Sequence, residues 1–205
     1  MAEQYFEAHP TSDHDLREVK VSFEGTDFIF ETDAGVFSRD GLDEGTSLLL
    51  NEALPHLSGR VLDLGCGWGA VGVISKKIKP ALDLVMTDVN TRAAELAKRN
   101  LARNGVQAQV VTGDGFEQVQ GPFDWILLNP PIRAGKQLVY SLYEDSARHL
   151  AEGGTLAIVT TFVLVTFSWI FFYARSVPDA LLLIRNLIRF GSGTDIFAPW
   201  AGLTA

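Results

Sequence analysis

Arg60-Val-Leu-Asp-Leu-Gly-Cys-Gly-Trp-Gly69 is the stretch whose reading decides the fold. A short apolar run containing Asp63 ends where glycine recurs at 65, 67 and 69. Ala70 to Ile74 then continue as an apolar run into Lys76 and Lys77. That order reads as a buried parallel strand turning sharply into a helix. Glycines at alternate positions allow the tight turn and leave no side chain where a ligand lies against the backbone. Cys66 sits inside the turn, where a small side chain is needed. A catalytic-thiol reading lacks a His nearby in sequence.

The spacing also selects the kind of ligand. A dinucleotide fingerprint runs Gly-x-Gly-x-x-Gly and brings a pyrophosphate to the helix N-terminus. Here it runs Asp-x-Gly-x-Gly-x-Gly. A carboxylate at that place repels a pyrophosphate and receives a cationic amino group, which disfavours an NAD-dependent oxidoreductase.

Upstream, Glu18 to Phe23 alternates, Glu24-Gly-Thr26 turns, and Asp27 to Glu31 follows, predicting a β-hairpin. Thr46 or Ser47 is placed to cap a helix running to about Leu54. Downstream, strands are predicted near 60–64, 82–87, 106–111, 123–128 and 155–160. Helices are predicted near 69–78, 91–103 and 136–150. Thr91 stands where an N-cap helps the second of these, Asn104-Gly105 stops it, and Glu95 can pair with Arg99 one turn away. Alternating strands and helices with short connections predict an α/β fold with a doubly wound, mostly parallel sheet. Right-handed crossovers put the strand ends on one edge of it.

Those ends carry distinct polar markers. Asp88 follows Gly69 by 19 residues, near the spacing of about 20 at which a carboxylate meets ribose hydroxyls. Asp114, between Gly113 and Gly115, can accept from an adenine amino group. Asn129-Pro-Pro-Ile132 joins two prolines, which have no N–H, to a carboxamide. The result is a rigid set of acceptors suited to holding an amino group by its hydrogens. Holding it so aims the nitrogen lone pair at an electrophilic methyl group, with catalysis mainly by positioning.

The glycine motif resembles motif I of class I S-adenosylmethionine-dependent methyltransferases. Asn129-Pro-Pro-Ile132 looks like the motif that those enzymes use on planar amines, the exocyclic amines of bases or the side-chain amide of glutamine. Gly35-Val-Phe-Ser, Gly41-Leu-Asp, Asp63-Leu-Gly-Cys-Gly and Asn129-Pro-Pro-Ile-Arg-Ala-Gly135 together resemble the small-subunit ribosomal RNA guanine-amine methyltransferases, over residues 5 to 160 or so. The resemblance implies an S-adenosylmethionine site at Asp63, Gly65, Gly67, Gly69, Asp88 and Asp114, with Cys66 and Gly115 beside them and Phe37 and Thr46 near the pocket. It implies that Asn129, Pro130, Pro131 and Ile132 hold the target amine. It also implies a ribosomal RNA or small-subunit partner, no metal, and a cytoplasmic setting. Its better-known members carry an additional N-terminal domain, and these residues correspond to the catalytic half. The alternatives are a glutamine-amide protein methyltransferase and a membrane-attached binding module without turnover.

After Thr160 the pattern changes. Residues 153–174 contain no charged residue, and Leu156 to Ala174 is long enough to span a bilayer. That span conflicts with a strand at 155–160. A second helix is expected over Ala180–Phe190, with Arg185 and Arg189 on one face, giving possible membrane contact through 156–190. Phe167 to Ala180 resembles the C-terminal part of membrane-bound O-acyltransferases of the alginate-acetylation type, but the tail contains no His to serve as their base. The expected division is a methyltransferase domain at 1–160, lacking closing strands, and an apolar helical tail at 161–205, joined as a composite.

Composition bounds the rest. A chain of 205 residues suits one α/β domain with an appendage. A net charge of −8 gives no expectation of strong non-specific binding to nucleic acid. One cysteine excludes an intramolecular disulfide and fits a reducing compartment. Met1 to Asp15 is polar, without the apolar core of a signal peptide.

Overall fold

A computed structural model describes residues 7–131 and 134–158. An antiparallel hairpin, β1 (Arg17–Phe23) and β2 (Thr26–Thr32), precedes α1 (Glu44–Ala53) and a short 3-10 turn. Then come β3 (Arg60–Leu64), α2 (Ala70–Ile78), β4 (Asp83–Asp88), α3 (Thr91–Arg103), β5 (Gln109–Thr112), β6 (Phe123–Leu128), α4 (Lys136–His149) and β7 (Leu150–Ile158). The five later strands form one parallel sheet in the order β5-β4-β3-β6-β7. The order reverses between β3 and β6, and at such a switch point the two flanking loops part and leave a crevice.

Both faces of the central strands are covered, which explains their unbroken apolar runs. Val61, Met86 and Leu127 pack with α1, α2, α3 and the hairpin phenylalanines. Leu62, Val85 and Ile126 pack in a second cluster with Phe123 and, from α4, Leu142 and Tyr143. The hairpin is fixed by two asparagines one turn apart, Asn100 on α3 and Asn104 at its C-cap. Asn100 accepts from Glu31 N–H (2.7 Å) and donates to its carbonyl (2.9 Å). Asn104 does the same for Ile29, at 3.1 and 2.9 Å. These side chains satisfy the β2 edge as a neighbouring strand would.

Several boundaries differ from expectation for local reasons. The cap of α1 is Asp43, whose carboxylate accepts from Thr46 N–H, and not Thr46 or Ser47. The cap of α3 is Asn90, accepting from Ala93 N–H at 3.0 Å, and not Thr91. Val106 is used in closing α3, where its N–H reaches the Leu101 carbonyl across left-handed Gly105, so β5 begins later, at Gln109. β7 begins at Leu150 because Gly153-Gly154, read as a turn, is absorbed as an irregularity within the strand. Glu95 pairs with Lys98, and Arg99 pairs with Glu31. Leu156, Ala157 and Ile158 are strand residues paired with Ile126, Leu127 and Leu128. A membrane helix therefore does not begin at 156. No helix among the described residues is long and apolar enough to cross a membrane. The remainder of that expected span, the second tail helix and the acyltransferase-like segment lie outside the described residues.

Candidate active site

Three left-handed glycines shape the loop after β3, with φ of +71° at Gly65, +57° at Gly67 and +93° at Gly69. A side chain in that region is strained, so the alternation of glycines is a backbone requirement. Gly65 and Cys66 both donate their N–H to the Thr87 carbonyl at 2.9 Å, tying the loop to the end of β4. Gly69 turns the chain into α2 and packs against Ala97 and Met86; it is not among the residues lining the cavity.

The loop opens onto a cavity of about 220 Å³ at the switch point. It is lined by Phe37, Thr46, Asp63, Gly65, Cys66, Gly67, Asp88, Asp114, Gly115, Asn129, Pro130 and Pro131. Strands β3, β4 and β6 and the loop after β5 thus bring the separate polar markers to one place. Ile132 lies outside the described residues.

Asp63 is buried, and one of its oxygens accepts from Gly72 N–H in the first turns of α2 at 2.9 Å. Among the described residues no cation pairs with it. Burial, with the nearby Asp88 carboxylate adding to it against the Gly72 hydrogen bond, pushes its pKa up to about 7. Asp88 is also pushed up by burial, opposed by the N–H groups of Asn90 (2.8 Å) and Gly67 (2.7 Å) on its two oxygens. Each of those oxygens keeps a lone pair for another donor. Burial, then the Asp88 and Asp63 carboxylates, push the Cys66 thiol well above its usual range. It is therefore a small filler of the turn, and not a thiolate nucleophile.

The opposite side of the cavity is organised differently. Asn129 Nδ2 donates to Thr46 Oγ1 at 3.1 Å and lies 3.4 Å from Asp43 Oδ1. The Thr46 hydroxyl in turn donates to Asp43 Oδ2. Pro130 and Pro131 continue this wall without adding a donor. Asp114 is exposed and also lines the cavity, at its rim.

The sequence reading missed Asp43, Trp68, Gly72, Thr87, Leu138 and Leu142. Gly72 is a glycine inside a helix, itself a sign of close approach: a Cβ there would stand 2.6 Å from Met86 Sδ. Trp68 packs edge-on to Phe30 of the hairpin, 4.9 Å between centroids, and its Nε1 donates to the Phe37 carbonyl at 2.9 Å. It carries the hairpin's position into the Phe37 loop. Leu138 and Leu142, four apart on α4, give the cavity an apolar wall. Thr87 lines it too, and its buried hydroxyl has no hydrogen-bond partner among the described residues.

Comparison with known proteins agrees with this architecture. The methyltransferase small domain family matches residues 27–169, running past the Thr160 boundary expected from the change in sequence pattern. The ribosomal RNA small subunit methyltransferase C of Escherichia coli (strain ATCC 8739) is 40% identical over 157 residues, covering 75% of this chain and 45% of the relative. That of Serratia proteamaculans (strain 568) is 39% identical over 142 residues, covering 67% and 41%. The chain thus spans less than half the length of these curated relatives. A T. thermophilus 16S rRNA N2 methyltransferase solved with AdoMet and guanosine superposes with a TM-score of 0.64 at 24% identity, over 72% of this chain and 42% of that one. A Pyrococcus abyssi tRNA (uracil-54, C5)-methyltransferase solved with S-adenosyl-L-homocysteine gives 0.53 at 23% identity, over 69% and 33%. At these identities the two structures establish a shared fold.

Proposed function

The chain belongs to the methyltransferase small domain family, and from that premise we propose that it methylates the exocyclic amine of guanine in small-subunit ribosomal RNA, using S-adenosylmethionine. The observation that carries this reading is one cavity with two unlike walls. A buried carboxylate without a cation, Asp63, stands on one, and the acceptors of Asn129-Pro130-Pro131 stand on the other. The curated relatives named for ribosomal RNA favour that substrate over a glutamine amide.

The residues present fit the methyl donor. Asp63, whose charged form is disfavoured by burial, gains a partner from an ammonium group. Asp88 has lone pairs free for two ribose hydroxyls, and Asp114 can accept at the rim from an adenine amine. When bound, S-adenosylmethionine supplies an electrophilic methyl carbon on a positively charged sulfur. Asn129 Oδ1 and the backbone carbonyls of the proline pair accept the hydrogens of the target amine and aim its lone pair toward that carbon. As the carbon–nitrogen bond forms, the carbon–sulfur bond breaks, and the nitrogen releases one proton to water. The apolar face of Leu138 and Leu142 limits water in the cavity, and the gain in rate comes from orientation.

The same reading divides the chain into a methyltransferase domain at 1–160 and an apolar segment at 161–205, and places the work in the cytoplasm, where the RNA is. The test is transfer of labelled methyl groups by the full chain to purified small-subunit ribosomal RNA, with the modified nucleoside identified by mass. Label in guanine is expected. Label in a glutamine-bearing release-factor-type peptide, with none in RNA, would select the protein substrate instead. A folded chain that binds no S-adenosylmethionine by calorimetry would overturn the reading, and its partition into detergent would favour a membrane-attached binding module.

A further inference from the structure

We propose that Asp43 and Thr46 are positioning residues that fix which way the Asn129 carboxamide faces. The inference rests on the reading of Asn129 as the group that receives the target amine. An asparagine side chain offers an acceptor on one side and two donors on the other. Only the oxygen can hold an amino group by its hydrogens; a turned amide would present its own N–H to them.

The hydrogen bonds of this corner leave one arrangement. An ionised carboxylate accepts and cannot donate. Asp43 takes Thr46 N–H on Oδ1, at 3.1 Å, and the Thr46 hydroxyl proton on Oδ2. Having given its single proton to Asp43, the Thr46 oxygen faces Asn129 with lone pairs. The side of Asn129 that meets Thr46 Oγ1 (3.1 Å) and Asp43 Oδ1 (3.4 Å) must therefore be the NH₂. Oδ1 is left for the cavity that all three residues line. The partners are 83 and 86 residues from Asn129 in sequence, so the contact joins the N-terminus of α1 to the end of β6.

Gly45 is the independent sign that this corner is built tightly. A Cβ on it would lie 3.1 Å from Asp43 Oδ1, 3.5 Å from Asn129 Nδ2 and 3.6 Å from Asn129 Oδ1. Gly45 stands in the first turn of α1, and with no side chain it leaves room for the carboxylate and carboxamide to approach. A cap alone would need none of this, because Asn caps a helix as well as Asp.

That equivalence supplies the test. In the full chain, Asp43→Asn keeps a competent cap but faces Asn129 with an amide free to turn. It is expected to lower kcat about tenfold, with an unchanged melting temperature and KM for S-adenosylmethionine within twofold. Asn129→Asp is expected to be worse, because two carboxylates then meet. Combining it with Asp43→Asn restores one donor between two groups and recovers part of the lost kcat. Thr46→Ser, which keeps the hydroxyl, is expected to retain several times more kcat than Thr46→Val, which loses it. A second readout needs no turnover: the Asn129 side-chain NH₂ resonances, identified by their absence in Asn129→Asp, shift in Thr46→Val while the backbone resonances of 44–53 stay in place. If Asp43→Asn retains kcat within twofold, or the Asn129 NH₂ resonances do not respond to Thr46→Val, the proposal is wrong. Should the wild-type chain transfer no methyl group, the proposed function fails, and the NH₂ resonances still decide whether Asp43 and Thr46 hold the amide.

Discussion

The two walls of the cavity are satisfied to opposite degrees. On the β3–β4 side, Asp63 and Asp88 are buried carboxylates held by backbone N–H groups, and burial raises both pKa values. On the α1–β6 side, the Asp43 carboxylate is supplied with donors from Thr46 and Asn129, and the corner is closed. The difference matches what each wall is proposed to receive. A wall for a cation is left with unbalanced negative charge, which the ligand neutralises. A wall for a neutral amine is bonded internally, so that the Asn129 side-chain oxygen faces the reactant at a set angle. Electrostatic frustration thus marks the binding half, and hydrogen-bond completeness marks the orienting half.

The largest effect should come from removing the charge of the first wall. Asp63→Asn is expected to weaken S-adenosylmethionine binding about a hundredfold by calorimetry, on the order of the loss of a buried charge pair. The same variant should be the more heat-stable protein without ligand above pH 7. The Asp63 pKa is raised in the folded state from an ordinary value near 3.8 to about 7. Its contribution to stability is therefore fully present below about pH 4, is lost as pH rises toward 7, and is flat above. Equal melting temperatures for the two proteins at pH 8 would remove the frustration from the account.

On the second wall, Asn129→Ala should lower kcat by somewhat less, about thirtyfold, and leave the affinity for S-adenosylmethionine near its original value. A matching loss of affinity would mean that the two walls do not divide binding from orientation. Between pH 6 and 7, affinity for S-adenosylmethionine should rise about fivefold, since an ammonium binds the ionised Asp63, and level off beyond. An affinity independent of pH over that range would show that Asp63 is not its partner. The smallest effect is expected from Gly45→Ala: the extra carbon displaces the Asp43 carboxylate by a few tenths of an ångström, and kcat should fall about threefold. An unchanged kcat would show that the α1–β6 corner tolerates slack.

The same contrast explains what could be read from sequence. The first wall is local: Asp63, the three glycines and Asp88 follow from one strand-turn-helix unit and the next strand, and spacing alone places them. Hydrophobic runs gave the parallel sheet for the same reason. The second wall depends on Asp43 meeting Asn129 across 86 residues, and no periodicity reports that contact. Asp43 was hidden further because Thr46 and Ser47 are equally good capping types. At β7, Gly153-Gly154 read as a turn. In the folded chain a Cβ on Gly154 would stand 2.9 Å from the Phe123 carbonyl, so the glycine permits a close strand crossing instead. Gly72 was passed over because its neighbours read as an ordinary helix, although it holds Asp63 through its N–H.

The most direct test is a crystal structure of the full chain with S-adenosylmethionine and guanosine. The account predicts the ligand's ammonium about 3 Å from an Asp63 carboxylate oxygen, its methyl group pointing toward the α1–β6 wall, and the guanine amine on Asn129 Oδ1. A ligand bound in this cavity with its amino end away from Asp63, or a guanine amine facing the Asn129 NH₂, would contradict it.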